Sequence, residues 1–180
     1  MQIGGTESIS HSAQATFLAL RDQQQALVRH LPNIEALSVL ERSETPPTTR
    51  LYSRWQGSAG EIPAVLRPLI SREMLAWFDE ALWHAETLSC QWRLESAKAR
   101  DIFTCTGTTV LTPDGEARCT FRLDAELHVY PEHVPGVPGF LARRVREPLE
   151  RFVAELLRPN LTSIAKAVQA HLDAAPSAAS

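Results

Sequence analysis

The sequence predicts a single α+β domain in which a curved antiparallel sheet of about six to seven strands wraps around a long C-terminal α-helix. Three observations predict it. Residues 117–130 alternate, with Phe121, Leu123, Ala125, Leu127 and Val129 on one side and Arg122, Asp124, Glu126, His128 and Tyr130 on the other. That is the pattern of a strand in an antiparallel sheet with one dry face and one wet one. The last third repeats apolar residues at steps of three and four: Leu141, Val145, Leu149, Phe152, Val153, Leu156, Leu157, Leu161, Ile164, Val168 and Leu172. That stripe defines one face of a helix, about 36 Å long from Leu149 to Leu172 at the usual rise per residue. Finally, 180 residues are enough for one well-buried core and few for two.

The remaining elements follow in chain order. Thr6–His11 forms a short strand, and Ser12 is placed to cap a helix carrying Ala15, Phe17, Leu18, Ala19 and Leu20. A second short helix covers Gln23–His30, with Leu27, Val28 and Leu31 inward, until Pro32 and Asn33 stop it. Glu35–Ser43 reads as a strand ending at the turn Glu44-Thr45-Pro46-Pro47. Thr48–Gln56 alternates, with Thr49, Leu51, Ser53 and Trp55 on one face. After the break at residues 57–60, the segment Ile62–Ile70 reads as an apolar flap or a single turn, because it contains two prolines. Arg72–His84 and Glu86–Glu95 are two further strands. In the second, Leu88, Cys90, Trp92 and Leu94 share a face. In the first, Trp77 and Trp83 oppose Phe78 and Leu82, which leaves the inward face open and suggests a bulge or bend between them. Ile102–Thr112 is rich in β-branched residues and leads into the turn Thr112-Pro113-Asp114-Gly115. Pro131–Pro138 forms a bend. In the final helix Pro148 fits a first turn or a bend, and Pro159 is expected to kink the helix or start a new segment. The domain is thus expected over residues 1–172, with a disordered tail over 173–180.

Composition narrows the function classes. Hydrophobic residues make up 44% and charged residues 22%, ordinary globular values, and the net charge of -3 argues against a nucleic-acid partner. No apolar run approaches the roughly 20 residues of a transmembrane helix. Met1–Ser12 has neither a cationic start nor an apolar signal core, so the chain is read as soluble and cytoplasmic. Cys90, Cys105 and Cys119 are widely spaced and each lies in a predicted strand. They read as reduced packing residues, with no metal and no cofactor expected.

The order of one strand, two short helices, about six strands and one long amphipathic helix resembles the START-like helix-grip superfamily, which includes polyketide cyclase/dehydrase and lipid-transport proteins. Local features join in: Trp55-Gln56-Gly57 closing a strand, Trp92 in mid-sheet, and Pro159-Asn160-Leu161 within the last helix. The resemblance covers Thr6 to Leu172 and carries no catalytic signature. It implies a cavity between the concave sheet and the long helix, with its mouth near the short helices and loops. The pocket wall expected on this basis is Trp55, Leu88, Cys90, Trp92, Phe103, Phe121, Leu123, Leu127, Phe152, Leu156 and Asn160. The mouth would be Ile62, Val65, Leu66 and Leu69.

Cyclase-type members of the superfamily place polar groups in such a pocket to move protons. The residues weighed for that role are Tyr52, Arg54, Asp79, His84, Arg93 and Tyr130. Alternation assigns Arg54, Arg93 and Tyr130 to the solvent side, leaving Asp79 and His84 as the candidates for chemistry. His128, Glu132 and His133 read as solvated groups, as do Arg143, Arg144 and Arg146 at the helix start. Asn160 is expected either to satisfy backbone groups freed by Pro159 or to cap a last helical segment. The expected function is non-enzymatic binding or transport of a hydrophobic small molecule such as a lipid, polyketide or isoprenoid. The alternatives are a polyketide cyclase or dehydratase, and a protein-interaction module with a filled cavity. The expected partner is an apolar small molecule, and a homodimer is left open.

Overall fold

The computed structural model describes residues 1–58, 72–98, 102–133 and 139–174, the last of these to the backbone only for Phe152, Leu156, Asn160 and several other positions. The elements run β1 (Gln2–Ile9), α1 (Ala13–Asp22), α2 (Gln24–Leu27, continued by a 3-10 turn Val28–His30), β2 (Ile34–Thr45), β3 (Thr48–Gly57), β4 (Ala76–His84), β5 (Ser89–Ser96), β6 (Phe103–Pro113), β7 (Cys119–Val129) and α3 (Gly139–Ala174). The seven strands form one antiparallel sheet in the order β1-β7-β6-β5-β4-β3-β2. Five neighbouring pairs from β2 to β7 are sequential hairpins or meanders. The sixth carries the first strand across to the last, so residues from both ends of the chain share one edge region.

Each expected strand is present, with shifted limits that follow from pairing. β1 begins at Gln2 rather than Thr6, because Gln2 to Ile9 pair without a break against Glu126 to Cys119 of β7. Ser10 and His11, expected in that strand, instead bend toward Ser12, whose side-chain oxygen accepts a hydrogen bond from the Ala15 N–H and starts α1. Arg72–Leu75 is a 3-10 turn, so β4 starts at Ala76. The expected bulge in β4 is absent: its pairing with β3 and with β5 is continuous, and Trp77, Asp79, Ala81 and Trp83 all face inward. The register shifts lie in β2 instead, at Ile34/Ala36 and Val39/Glu41, where an edge strand can bend without disturbing two neighbours. Residues 85–88 form the turn before β5, with Leu88 in the left-handed region at φ 48°.

The concave face is built in cross-strand rows. Leu51, Ala81, Trp92, Gly107, Ala125 and Ile3 are successive partners across six strands. α3 lies over this face and packs against β1 and β7, while α1 and α2 close in beside it. Val153, Ala154, Leu157, Leu161, Ala165, Ala167 and Val168 form its buried stripe.

The helix spans 36 residues and continues unbroken through Pro148 and Pro159. Asn160 is therefore an interior helical residue and not the N-cap of a new segment; its amide lies outside the described side chains. The Thr162 hydroxyl donates to the carbonyl of Arg158 at 2.9 Å, just beside the proline, where the regular ladder loses a donor. The expected tail also changes. Asp173 is helical, and its carboxylate lies 2.8 Å from His11 Nε2 while also accepting from Gln169 Nε2. The Gln169 side chain in turn accepts from the Ser10 N–H at 2.6 Å, so the end of α3 is tied to the β1–α1 corner. Residues 175–180 of the expected tail and Ile62–Ile70 of the expected flap lie outside the described residues.

Candidate ligand-binding cavity

Because α3 packs directly on β1 and β7, the concave face over β3, β4 and β5 is left less completely filled. A cavity of about 90 Å³ lies there. The sheet supplies Trp55 from β3, Trp77, Asp79, Ala81 and Trp83 from β4, Cys90, Trp92 and Leu94 from β5, Thr109 from β6 and Phe121 from β7. The helices supply Leu20, Gln24, Leu27 and Leu31 on one side, and Leu157, Leu161, Ile164 and Ala167 of α3 on the other. All four tryptophans of the chain border this space. Trp55 and Trp77, direct partners across β3 and β4, lie with near-parallel rings 6.3 Å apart, and Trp83 meets Phe17 of α1 edge-on at 5.5 Å.

Of the expected pocket wall, Trp55, Cys90, Trp92 and Phe121 border the cavity. Phe103, Leu123 and Leu127 are buried on the same face, but they do not border it among the described residues, since α3 packs over that side of the sheet. Leu88 sits in the β4–β5 turn and packs at the margin of the core. Phe152, Leu156 and Asn160 are described by backbone alone, and Ile62, Val65, Leu66 and Leu69 lie outside the described residues. Trp77, Trp83, Gln24 and Thr109 were missing from the expected wall. The β4 tryptophans carried the signal, but an even mix of large residues on both faces of that strand hid its phase.

The polar groups at the cavity are few. Asp79 is 8% exposed, and among the described residues no cation pairs with it. Burial pushes its carboxyl up to about 7, far above the ordinary carboxylate range, while the nearby Trp55 indole N–H favours the charged form and opposes the shift. That approach falls short of hydrogen-bond geometry. Asp79 Oδ1 and Trp55 Nε1 are both buried without a hydrogen-bond partner among the described residues, and so is Trp83 Nε1. Neighbouring polar side chains satisfy one another instead: the Trp92 indole N–H donates to Thr109 Oγ1 at 3.2 Å, and Ser53 Oγ donates to Gln24 Oε1 at 3.4 Å. Three orphaned polar atoms on residues bordering one small cavity are unusual, since nearly all buried polar groups find partners.

The other residues weighed for chemistry are elsewhere. His84 is on the opposite face of β4 at its far end, half-buried. Tyr52 stacks on Phe78 on the convex face, 5.2 Å between ring centres, where Arg93 pairs with Glu95 and Arg50 with Glu80. Arg54 Nη2 donates to Gln56 Oε1, and Tyr130 stacks on His133. His128 is exposed 3.3 Å from Glu126, and Arg146 lies 3.5 Å from Glu132. Among the described residues no group of three metal-ligating side chains converges. Cys90, Cys105 and Cys119 are buried free thiols. Burial raises each of them, Cys105 to about 12. No helix of the described residues is long and apolar enough to cross a membrane.

The fold, a curved antiparallel sheet with a long helix lying over it, matches solved structures over nearly the whole chain. The fold is START-like. An aromatase/cyclase from a Streptomyces species is similar at 15% identity and a TM-score of 0.66, covering 98% of each chain. A START superfamily protein from Mycobacterium smegmatis is similar at 16% identity and a TM-score of 0.58, covering 96% of this chain and 97% of that one. Norcoclaurine synthase from Thalictrum flavum is similar at 17% identity and a TM-score of 0.57, covering 97% of this chain and 87% of that one. No protein-family model and no curated protein sequence matches the chain. At these identities the similarity concerns architecture.

Proposed function

We propose that this START-like protein binds a small, largely apolar molecule between the sheet and α3, held by a tryptophan-rich wall. The observation that carries this reading is the convergence of all four tryptophans on one cavity, which no side chain among the described residues fills. A core built only for stability would gain by filling that space. A binding site gains by leaving it to the guest. The volume of about 90 Å³ is too small for an extended acyl chain and suits a compact guest. The expected pocket residues Phe152, Leu156 and Asn160, and the mouth Ile62, Val65, Leu66 and Leu69, belong to this proposal as further candidates to touch the guest. Native mass spectrometry of the purified protein, with and without added apolar aromatic compounds, tests it. A discrete one-to-one adduct that an Ala81→Leu variant fails to form is the expected result. Equal behaviour of the two proteins would refute the reading.

Asp79 favours one second reading, proton transfer to or from a bound substrate, because a carboxyl near 7 is suited to both directions at neutral pH. The one other titratable group bordering the cavity among the described residues is the Cys90 thiol, which burial holds in its protonated form. A substrate whose turnover, but not binding, disappears in Asp79→Asn would establish this reading over simple carriage.

A further inference from the structure

His30 and His171 meet where α2 and its 3-10 turn pack against α3. Both rings are half-buried, 6.4 Å apart between centres and inclined at 61°. Gln23, just before α2, ties the second ring down, because its Oε1 is hydrogen-bonded to His171 Nε2. An amide oxygen only accepts, so that ring nitrogen carries the hydrogen, and in the neutral ring His171 Nδ1 is a bare lone pair. His171 Nδ1 and His30 Nε2 are both buried without a hydrogen-bond partner among the described residues. Burial holds the His171 ring below the ordinary histidine range, and the positive charge of Arg29 and the ring of His30 add to the effect. The nearest carboxylates in sequence are engaged elsewhere: Asp22 with Arg21 and Arg42, and Asp173 with His11 and Gln169.

This seam is also one side of the cavity. Leu27 and Leu31, which bracket His30, border the cavity from one element, and Ile164 and Ala167 border it from α3, a turn or two before His171. Protonation makes both nitrogens of a histidine ring donors, so in each ring a buried N–H would point at no acceptor. It also sets two positive charges beside Arg29, well inside the roughly 8 Å screening length of physiological salt. Both costs vanish when the rings reach water. We propose that His30 and His171 form an acid-sensitive latch, which holds α2 and its 3-10 turn against α3 at neutral pH and opens that side of the cavity when both rings take up a proton. The contact between His11 and Asp173 responds the other way, since a protonated His11 makes it an ion pair. It keeps the end of α3 on the β1–α1 corner while the seam opens.

Hydrogen exchange of the ligand-free protein locates the effect, where a global melt would mix it with the titration of Asp79. Amides of residues 24–31 and 165–172 are compared with those of β6 and β7 at pH 7.5 and pH 5.0, each rate divided by its intrinsic rate at that pH. The wild-type seam is expected to lose protection roughly tenfold at the lower pH, as for burying a donor unpaired, while the sheet changes little. His30→Phe and His171→Phe, which keep a ring but take up no proton, should each reduce that loss to threefold or less. Equal protection at both pH values, an equal loss in seam and sheet, or an undiminished seam loss in either variant would overturn the proposal. Should one variant fail to fold, the other decides, together with NMR titration of the His171 ring in the wild type. A midpoint below that of a free histidine is expected there, and one at or above it would sink the latch. Since no guest is present, none of these outcomes depends on the binding reading.

Discussion

The indole of Trp92 lies across Gly107, its direct partner on the neighbouring strand: a Cβ built at Gly107 would stand 2.6 Å from Trp92 Cη2 and 2.7 Å from the Asp124 carbonyl oxygen. The glycine is thus a slot in the sheet surface. It lets a large ring lie low over β6, with its N–H turned to Thr109, and keeps the space above it open. Ala81 and Ala125 are the next residues outward in the same row.

Gly107→Ala should therefore be more harmful than its one added carbon suggests. Neither the β7 backbone nor the packed ring can yield easily, so a loss of about 1–3 kcal/mol is expected, as for overpacking. Urea denaturation measures the loss. A red shift in tryptophan emission should accompany it as Trp92 is lifted from its slot.

Asp79 gives the stability curve a defined slope. Its carboxyl is raised in the folded state, so unfolding releases a proton wherever the pH lies between the unfolded value near 3.8 and the folded value of about 7. The stabilisation is complete below the lower value and declines as the pH rises through the window. Above about 7 it levels off. Over the whole window the change is on the order of 4 kcal/mol at most, from the free-energy equivalent of one pKa unit. Asp79→Asn should remove most of this slope, as read from melts between pH 4 and pH 8. An unchanged slope would mean that the carboxyl is solvated or paired in solution.

Ala81→Leu should fill the cavity from the sheet side. Added methylenes that enter empty space cost little, so stability should stay within about 1.5 kcal/mol of the parent. Binding of any apolar aromatic probe should fall at least tenfold. Fluorescence titration and a thermal melt on the same sample check both halves.

Cys90, Cys105 and Cys119 should resist thiol reagents in the native protein, because burial both shields them and disfavours the thiolate. A chromogenic disulfide reagent is expected to label none of the three under native conditions and all of them in guanidinium. Fast native labelling of even one would show that the strand bearing it opens readily.

Ser12→Ala should cost about 1 kcal/mol, the usual value for removing an N-cap oxygen. The Ala15 N–H loses its acceptor, whereas Ser12→Asp should preserve the cap and leave the melting temperature nearly unchanged.

That cap was legible in the sequence, and so were most strands, because their signals are local. β7 alternates residue by residue, and every odd position from Cys119 to Val129 is buried. β4 was not legible in this way. Both of its faces carry large apolar groups, since Phe78 stacks on Tyr52 outside while Trp77 and Trp83 turn inward. Alternation gives no phase where neither face is polar. The candidate site suffered from the same ambiguity: half of its tryptophans and its one buried carboxyl sit on that strand.

The sequence by itself determined the kind and order of the elements, the apolar stripe of α3 and the dry face of β7, since these depend on periods of two and of about 3.6 residues. Only the tertiary structure decided which of the inward residues border empty space. That depends on where α3 rests, and it rests on β1 and β7, so Phe103, Leu123 and Leu127 became core while Trp55, Asp79 and Trp92 were left facing a gap. Register decided the rest. It set Gly107 against Trp92 and Trp55 against Trp77, relations between strands that no single stretch of sequence encodes.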